Sequence, residues 1–500
     1  MRLAALLCLT GLPALADPMF VERSDALPVE HIYTGGWDHF VGGGVAIFDC
    51  NGDARPDLFA AGGTHPATLL VNRSAPGGDI LFDAAKVPEI TAATGAYPLD
   101  IDNDDVLDLF VLRLGPNLLL RGKGDCTFED ATAALGIETG AAWTTAFTAT
   151  WEPGQTLPTL AIGNYVDQDH PDAPFGTCDT NWLLRPDGGR YGAPLPLDPG
   201  FCPLSMLFSD WRRGGEVMLR LSNDRQYYVR DGYEQMWTLA PLRELGPDDG
   251  WDRLQLWGMG IASRDLSGDG RPEVMLTSMG DQVLMTNTGS GFAPTPYEVG
   301  ATAHRPFTGD DGRPSTGWHA EFGDVDNDGR ADLFIAKGNV DQMPDMAMAD
   351  PNNLLMQRAD GTFEEKADVA GVASDHRGRG AGLADLNADG RLDLVVVNRR
   401  APLQVWQNAT RGTDNWLTVD PRQSGANRRA VGAFVEVRTA AGTQAQEVTV
   451  GGGHAGGQAG PLHFGLGGAE TAEVRVIWPD GTAGDWQAVA VNNAHLMRRD

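Results

Sequence analysis

The chain has 500 residues, with 68 Asp or Glu against 38 Lys or Arg and a formal charge of −30. That acid excess argues against a nucleic-acid backbone or an anionic membrane surface as partner, and it favours cations. Hydrophobic residues make up 42%, enough for a large core, while 64 Gly and 31 Pro call for many turns.

Residues 1–16 have the form of a secretory leader: Arg2 supplies the positive start, Leu3 to Leu12 an apolar run, and Ala14-Leu15-Ala16 a small-residue cleavage site. A mature chain starting at Asp17 is expected, periplasmic or secreted, because no later segment is long and apolar enough to span a bilayer. Cys8 leaves with the leader. The remaining Cys50, Cys126, Cys178 and Cys202 are expected to form disulfides in an oxidising compartment, with three connectivities open. Cys178 and Cys202 bracket a Pro/Gly-rich stretch, so a loop staple is the simplest pairing, which leaves Cys50 with Cys126.

Along the chain one unit repeats: an apolar strand, an acidic loop and a second apolar strand, with intact loops starting at Asp49, Asp100, Asp265, Asp324 and Asp385. Two degenerate copies, centred on Trp151 and Asp210, fill the gap and make seven units. Successive spacings of 51, 51, 59, 55, 59 and 61 residues fit a four-stranded propeller blade, and no amphipathic helical pattern separates the copies. The predicted outermost strands open on Phe82, Phe128, Phe292 and Phe363. The seventh unit lacks such a strand, so the N-terminal segment at Phe20 is expected to complete the last blade and remove a free edge. The fold class is therefore all-β: a seven-bladed β-propeller over 17–410, then a small β domain over 411–500 with Gly-rich turns and no acidic loop.

Each intact loop follows D-x-[DNS]-x-D-x-x-x-[DE], an all-oxygen set that suits calcium, whose flexible shell accepts a protein cage, better than magnesium, zinc or copper. The candidate ligands are Asp49, Asn51, Asp53 and Asp57; Asp100, Asp102, Asp104 and Asp108; Asp265, Ser267, Asp269 and Glu273; Asp324, Asp326, Asp328 and Asp332; and Asp385, Asn387, Asp389 and Asp393. Up to five Ca²⁺ are expected. Asp, Asn and Gly also make plain turns, but five copies at one place in a repeat outweigh that alternative. Ala54 and Asp105 stand where the turn usually carries Gly. The degenerate copies lack the carboxylates and read as metal-free blades kept for packing.

The strand–DxDxDG–strand units resemble FG-GAP or VCBS propeller repeats, as in integrin α-subunit heads. NRRAVGAFVEV, LHFGLGG and VRVIWPDGTAGDW resemble the ASPIC/UnbV domain that follows such propellers in proteins similar to the cartilage acidic protein family. The resemblance implies extracellular calcium binding with adhesion or ligand recognition, and supplies no substrate.

On the face opposite the metal loops, the repeat places Trp37, His39, Trp143, Trp257, Trp318, His319 and Arg379, with Asp38 and Arg377 beside them. Aromatic and charged groups there suit a glycan or protein partner; the competing reading packs the tryptophans between blades. No catalytic residue is assigned, since no nucleophile elbow or zinc-protease motif occurs. The enzyme alternative is a calcium-dependent polysaccharide lyase or hydrolase. His454 and His463 read as turn or surface residues.

Overall fold

The computed structural model describes residues 17–173, 176–224, 232–309, 312–412 and 414–500. The expected leader, 1–16, lies outside these. Within them the protein is all-β apart from two four-residue helices and short 3-10 turns.

Seven antiparallel four-stranded sheets follow one another, each meandering from an inner strand outward, and the second and third are joined edge to edge where Ala142 and Trp143 pair with Gly115 and Leu114. The first runs Val45–Phe48, Asp57–Ala60, Thr68–Asn72, Phe82–Ala84. The sixth runs Gly317–Gly323, Asp332–Lys337, Asn353–Gln357, Phe363–Glu365. Inner strands such as Ala93–Leu99 are buried on both faces, which is why they read as unbroken apolar runs rather than alternating ones. The outermost strands are short and half-exposed. In Phe82–Ala84 the opening Phe turns inward while Asp83 and Ala84 face water. From the second sheet to the seventh, a register shift falls near the start of the inner strand, for example at Ala93/Gly95 and Gly258/Gly260. Such bulges tighten the twist there.

The N-terminal strand Phe20–Glu22 is the outermost strand of the seventh sheet, pairing Phe20 with Asn408 and Glu22 with Trp406. No single sheet closes on itself. Instead each inner strand packs against the next, and that of the seventh sheet, Arg377–Ala384, returns to Val45–Phe48 of the first. Both expected disulfides form: Cys50–Cys126 ties the first acidic loop to the second sheet, and Cys178–Cys202 closes a loop before the fourth.

The C-terminal residues build two further sheets around a core that includes Leu417, Val435, Phe464, Val474 and Trp478. This unit is not simply appended. Its Gly-rich segment 450–459 runs into the middle of the seven inner strands, where Gln458–Ala459 pairs in parallel with Ile47 and Phe48. Ala96 N donates to Ala455 O at 3.1 Å, Gly453 N to Ile261 O at 2.7 Å and Gly452 N to Met206 O at 2.7 Å. Glycines on both sides, Gly452 and Gly453 in the segment and Gly44 and Gly95 in the strands, leave room for backbones to come this close. A Cβ on Gly44 or Gly95 would lie 1.8 or 1.7 Å from Ala455 O.

Candidate cation-binding loops

The loops share one hydrogen-bond scheme. The carboxylate at the first position accepts backbone N–H groups four and five residues on, as Asp324 does from Asp328 (3.0 Å) and Gly329 (2.8 Å) and Asp385 from Asp389 (3.0 Å) and Gly390 (2.8 Å), while Asp265 accepts from Gly268 (2.8 Å) and Gly270 (3.0 Å). The ninth-position carboxylate accepts one N–H from inside the loop and one from the third strand. Asp57 takes those of Cys50 and Asn72, both at 2.8 Å; Asp108 those of Ile101 and Gly122; Asp332 those of Val325 and Gln357; Asp393 those of Leu386 and Asn408. Glu273 takes Leu266 N at 2.9 Å in the same way. An arginine at the seventh position pairs with the fifth-position acid, as in Arg55–Asp53 (2.7 Å), Arg330–Asp328 and Arg391–Asp389.

Burial, reinforced by neighbouring carboxylates, pushes Asp57, Asp108 and Asp328 up to about 7 and Asp100 and Asp385 to about 6. Asp324, Asp332 and Asp393 are driven well above the usual carboxylate range by the same causes. A bound cation reverses that pressure. The geometry fits one. Asp100, Asp102 and Asp108, and likewise Asp324, Asp326 and Asp332, each bring ligand atoms within 4.8 Å of one another. Asp102 Oδ1 and Asn387 Oδ1 are buried with no hydrogen-bond partner. A third grouping, Cys50, Asp57 and Cys126, offers only its carboxylate, since the two sulfurs are bonded to each other.

A family model for FG-GAP-like repeats matches residues 49–111, 265–335 and 339–396, which contain all five intact loops, and a model for ASPIC and UnbV matches 423–500. The chain carries FG-GAP-like repeats followed by an ASPIC and UnbV domain. Cartilage acidic protein 1 of Mus musculus and of Homo sapiens are each 31% identical over 163 residues, 32% of this chain and 25% and 24% of theirs. The match thus spans about a quarter of the length of these curated relatives. Among solved structures, BBS1N in complex with ARL6DN is similar at a TM-score of 0.47 and 10% identity, over 80% of this chain and 99% of that one.

The two degenerate loops lie in the interval that the FG-GAP-like matches leave out. In the third sheet Glu152 accepts from Arg185 Nε at 2.6 Å and Nη2 at 3.0 Å, and from Thr159, which stands at the ninth position. In the fourth, Asp210 still accepts Gly214 N (3.0 Å) and Gly215 N (2.7 Å), but the ninth position is the apolar Met218. Arg213 lies 3.8 Å above the Phe434 ring and donates to Glu436 (2.7 Å) and Gly270 O (2.9 Å). Glu447 accepts from Ser209 Oγ and from Asp210 N. The fourth copy therefore does more than pack: it is a docking point for the ASPIC and UnbV domain. A second docking point explains Asp105. Its carboxylate meets Arg422 and Arg428, both at 3.2 Å, and its carbonyl accepts from Arg429. Ala54 holds the same left-handed backbone, and nothing in the structure accounts for it.

Between the acidic-loop ends of the sheets and the ASPIC and UnbV domain lies a cavity of 1240 Å³, lined by Asp49, Asp100, Asp265 and Asp385 and by Arg264 and Arg429. At the opposite end the central axis is filled. Trp318 is fully buried, donates to Gly338 O at 2.7 Å, and packs edge-on against His454 at 5.0 Å with Arg379 3.8 Å over its ring. Trp143 is buried among Trp37, Phe40 and Tyr165, and His39 and His319 are buried as well. Trp257 is half-buried in this cluster. Of the aromatic residues read as facing a ligand, Trp37 stands out, 46% exposed.

His454 is not a surface residue. It is fully buried on the axis, its backbone N–H donating to His319 Nδ1 (3.0 Å) and its Nε2 accepting from Gly42 N (3.3 Å). Burial lowers its pKa to about 3, so it is neutral there. His463 is half-buried against the Trp416 ring and bonded to Gly390 O. Sequence reading also passed over Arg213, Arg185 and Glu447. The one signal was for Arg213, an arginine inside a loop that had lost its acids.

Proposed function

We propose that the protein is exported, with 1–16 as its leader, and that its seven sheets are the blades of a seven-bladed β-propeller over 17–410, joined to the 411–500 domain. Up to five Ca²⁺ would occupy the intact loops, and the assembly would recognise a glycan or protein partner in the periplasm or outside the cell. The observation carrying this reading is the closed succession of inner-strand contacts, with an acidic loop at the same corner of every intact repeat. Among the described residues no helix is long and apolar enough to cross a membrane.

Bound calcium supplies the positive charge that keeps crowded carboxylates ionised. The protein's own groups do the rest. Ninth-position acids tie each loop to the third strand of its sheet, and first-position acids hold the turn, so the loops are shaped before a cation arrives. Because the Gly-rich segment fills the axis, recognition falls to the rim and not to a channel. Equilibrium dialysis against calcium, followed by a glycan and extracellular-protein array with calcium and with chelator, tests the reading. Retained calcium and a ligand captured on the array support it. A folded chain that retains no calcium defeats the metal assignment, and arrays that stay blank defeat recognition.

A further inference from the structure

The end of the molecule away from the acidic loops holds a basic cluster in an otherwise acidic chain. Arg377, Arg399 and Arg400 surround Asp341, with nitrogen–oxygen distances of 3.6, 4.0 and 2.9 Å, and Arg379 lies behind them. Arg379 and Arg399 are fully buried and donate chiefly to carbonyls: Arg379 to Phe40 O (3.1 Å) and Val340 O (2.6 Å), Arg399 to His39 O (2.7 Å) and Gly36 O (3.1 Å). Carbonyls solvate a guanidinium without neutralising it. Arg399 Nε is buried with no partner at all. One carboxylate therefore faces four positive groups, and the nearby Asp38 is turned to His39 Nδ1 at 3.1 Å. The outer arginines are reachable, with side chains 25% (Arg377) and 44% (Arg400) exposed. Beside them the backbone that receives Arg399 and Arg400 at Gly35 and Gly36 leads straight into the exposed Trp37.

We propose that this rim binds an acidic carbohydrate, Arg377 and Arg400 holding its carboxylate or sulfate ester while the Trp37 indole carries the face of the sugar ring. The buried Arg379 and Arg399 add a fixed field that water screens little. Guanidinium forks suit planar oxyanions, and an exposed indole next to them suits a ring with an apolar face. Asp341 competes with the ligand for the same arginines. The proposal rests on the recognition reading above and names its ligand class.

The test is titration calorimetry of the full chain, calcium present, with three hexasaccharides: oligogalacturonate, a heparin-derived sulfated chain, and neutral maltohexaose. The two acidic probes separate carboxylate from sulfate ester. At least one should bind saturably, more weakly as salt rises, and at least tenfold tighter than maltohexaose. Arg377→Gln with Arg400→Gln should weaken it roughly tenfold or more, and Trp37→Ala should weaken it too. Asp341→Asn should tighten it, a gain that misfolding does not produce. Equal binding of maltohexaose, or acidic binding unmoved by both the double Gln variant and Asp341→Asn, overturns the site. A protein or phosphopeptide captured at this rim while neither acidic sugar binds overturns the carbohydrate assignment and leaves recognition standing. No ligand of any class for the folded, calcium-saturated chain defeats both.

Discussion

The loop at 324–332 and the loop at 210–218 occupy the same place in two repeats, and they keep the same turn: in each, the first-position Asp accepts the N–H groups four and five residues on. They differ in what balances that carboxylate. The first loop packs Asp324, Asp326, Asp328 and Asp332 together, and burial raises all of them. The second has Met218 in place of the ninth-position acid and an internal cation, Arg213, which is shared with Glu436 of the C-terminal domain. One loop crowds acids that a cation from solution would balance. The other is balanced by a side chain and has become an interface. The turn is thus separable from the acid cluster, which is why a degenerate repeat still folds.

Chelation should expose this difference most strongly. Each independent site saturated at one hundred times Kd adds about 2.7 kcal/mol, so removing calcium should lower the melting temperature markedly. Asp328→Ala should remove one share of the calcium response. Asp210→Ala should cost the same with and without calcium. A melting curve indifferent to chelator, or a calcium response lost in Asp210→Ala, would break the distinction.

Docking should come next in size. Gly95→Ala places a Cβ 1.7 Å from Ala455 O, a clash with backbone that a side-chain rotation cannot relieve. The variant should expel the Gly-rich segment, so that limited proteolysis cuts within 450–459 while the wild type resists. Unchanged resistance would mean that the inserted segment is not held by close backbone approach.

Much of this was legible in the sequence. The repeat, the Phe-led outer strands, the Phe20 strand in the last sheet and both disulfides follow from local patterns and elimination. The inserted segment was not legible, because a run such as Gly451–Gly453 carries no periodicity and reads as a flexible turn. Its meaning lies in Gly44, Gly95 and Gly260, which come together only in three dimensions. Trp143 and Trp318 failed for a related reason: a strand start at the rim and one at the filled axis look alike until the filling is known.

The pH response should divide the two loops again. In the metal-free intact loops, acids raised to about 6 or 7 hold a proton in the folded chain that they lose when unfolded. Their contribution is complete below the ordinary carboxylate pKa of about 4 and disappears as pH rises through 7. Calcium should abolish this dependence. Glu447, raised to about 8 chiefly by burial, follows the same sign but touches no candidate ligand. Its share should persist in saturating calcium as a fall in stability from about pH 5 to 8, and Glu447→Gln should flatten it. A calcium-saturated wild type with the same pH profile as Glu447→Gln would place the titration elsewhere.

The smallest effect should come from Asp105, the residue at which an intact loop is also a docking point. Its backbone is left-handed, with φ of 73°, so Asp105→Gly relieves a conformation that glycine adopts at little cost. The substitution also removes the contacts to Arg422 and Arg428, but Asp105 is exposed, and such pairs contribute at most about 1 kcal/mol each. The bond from Arg429 to the Asp105 carbonyl survives, since it is made to the backbone. The gain and the losses nearly offset, and the melting temperature should barely move at moderate salt, with a small fall confined to low ionic strength where the ion pairs are least screened. Calcium binding by Asp100, Asp102, Asp104 and Asp108 should be unchanged. A loss of several kcal/mol, or loss of that loop's calcium, would mean that the C-terminal arginines do more than dock: they would be holding the second loop in its ligand geometry, and the line between metal loop and interface loop would not be sharp at that repeat.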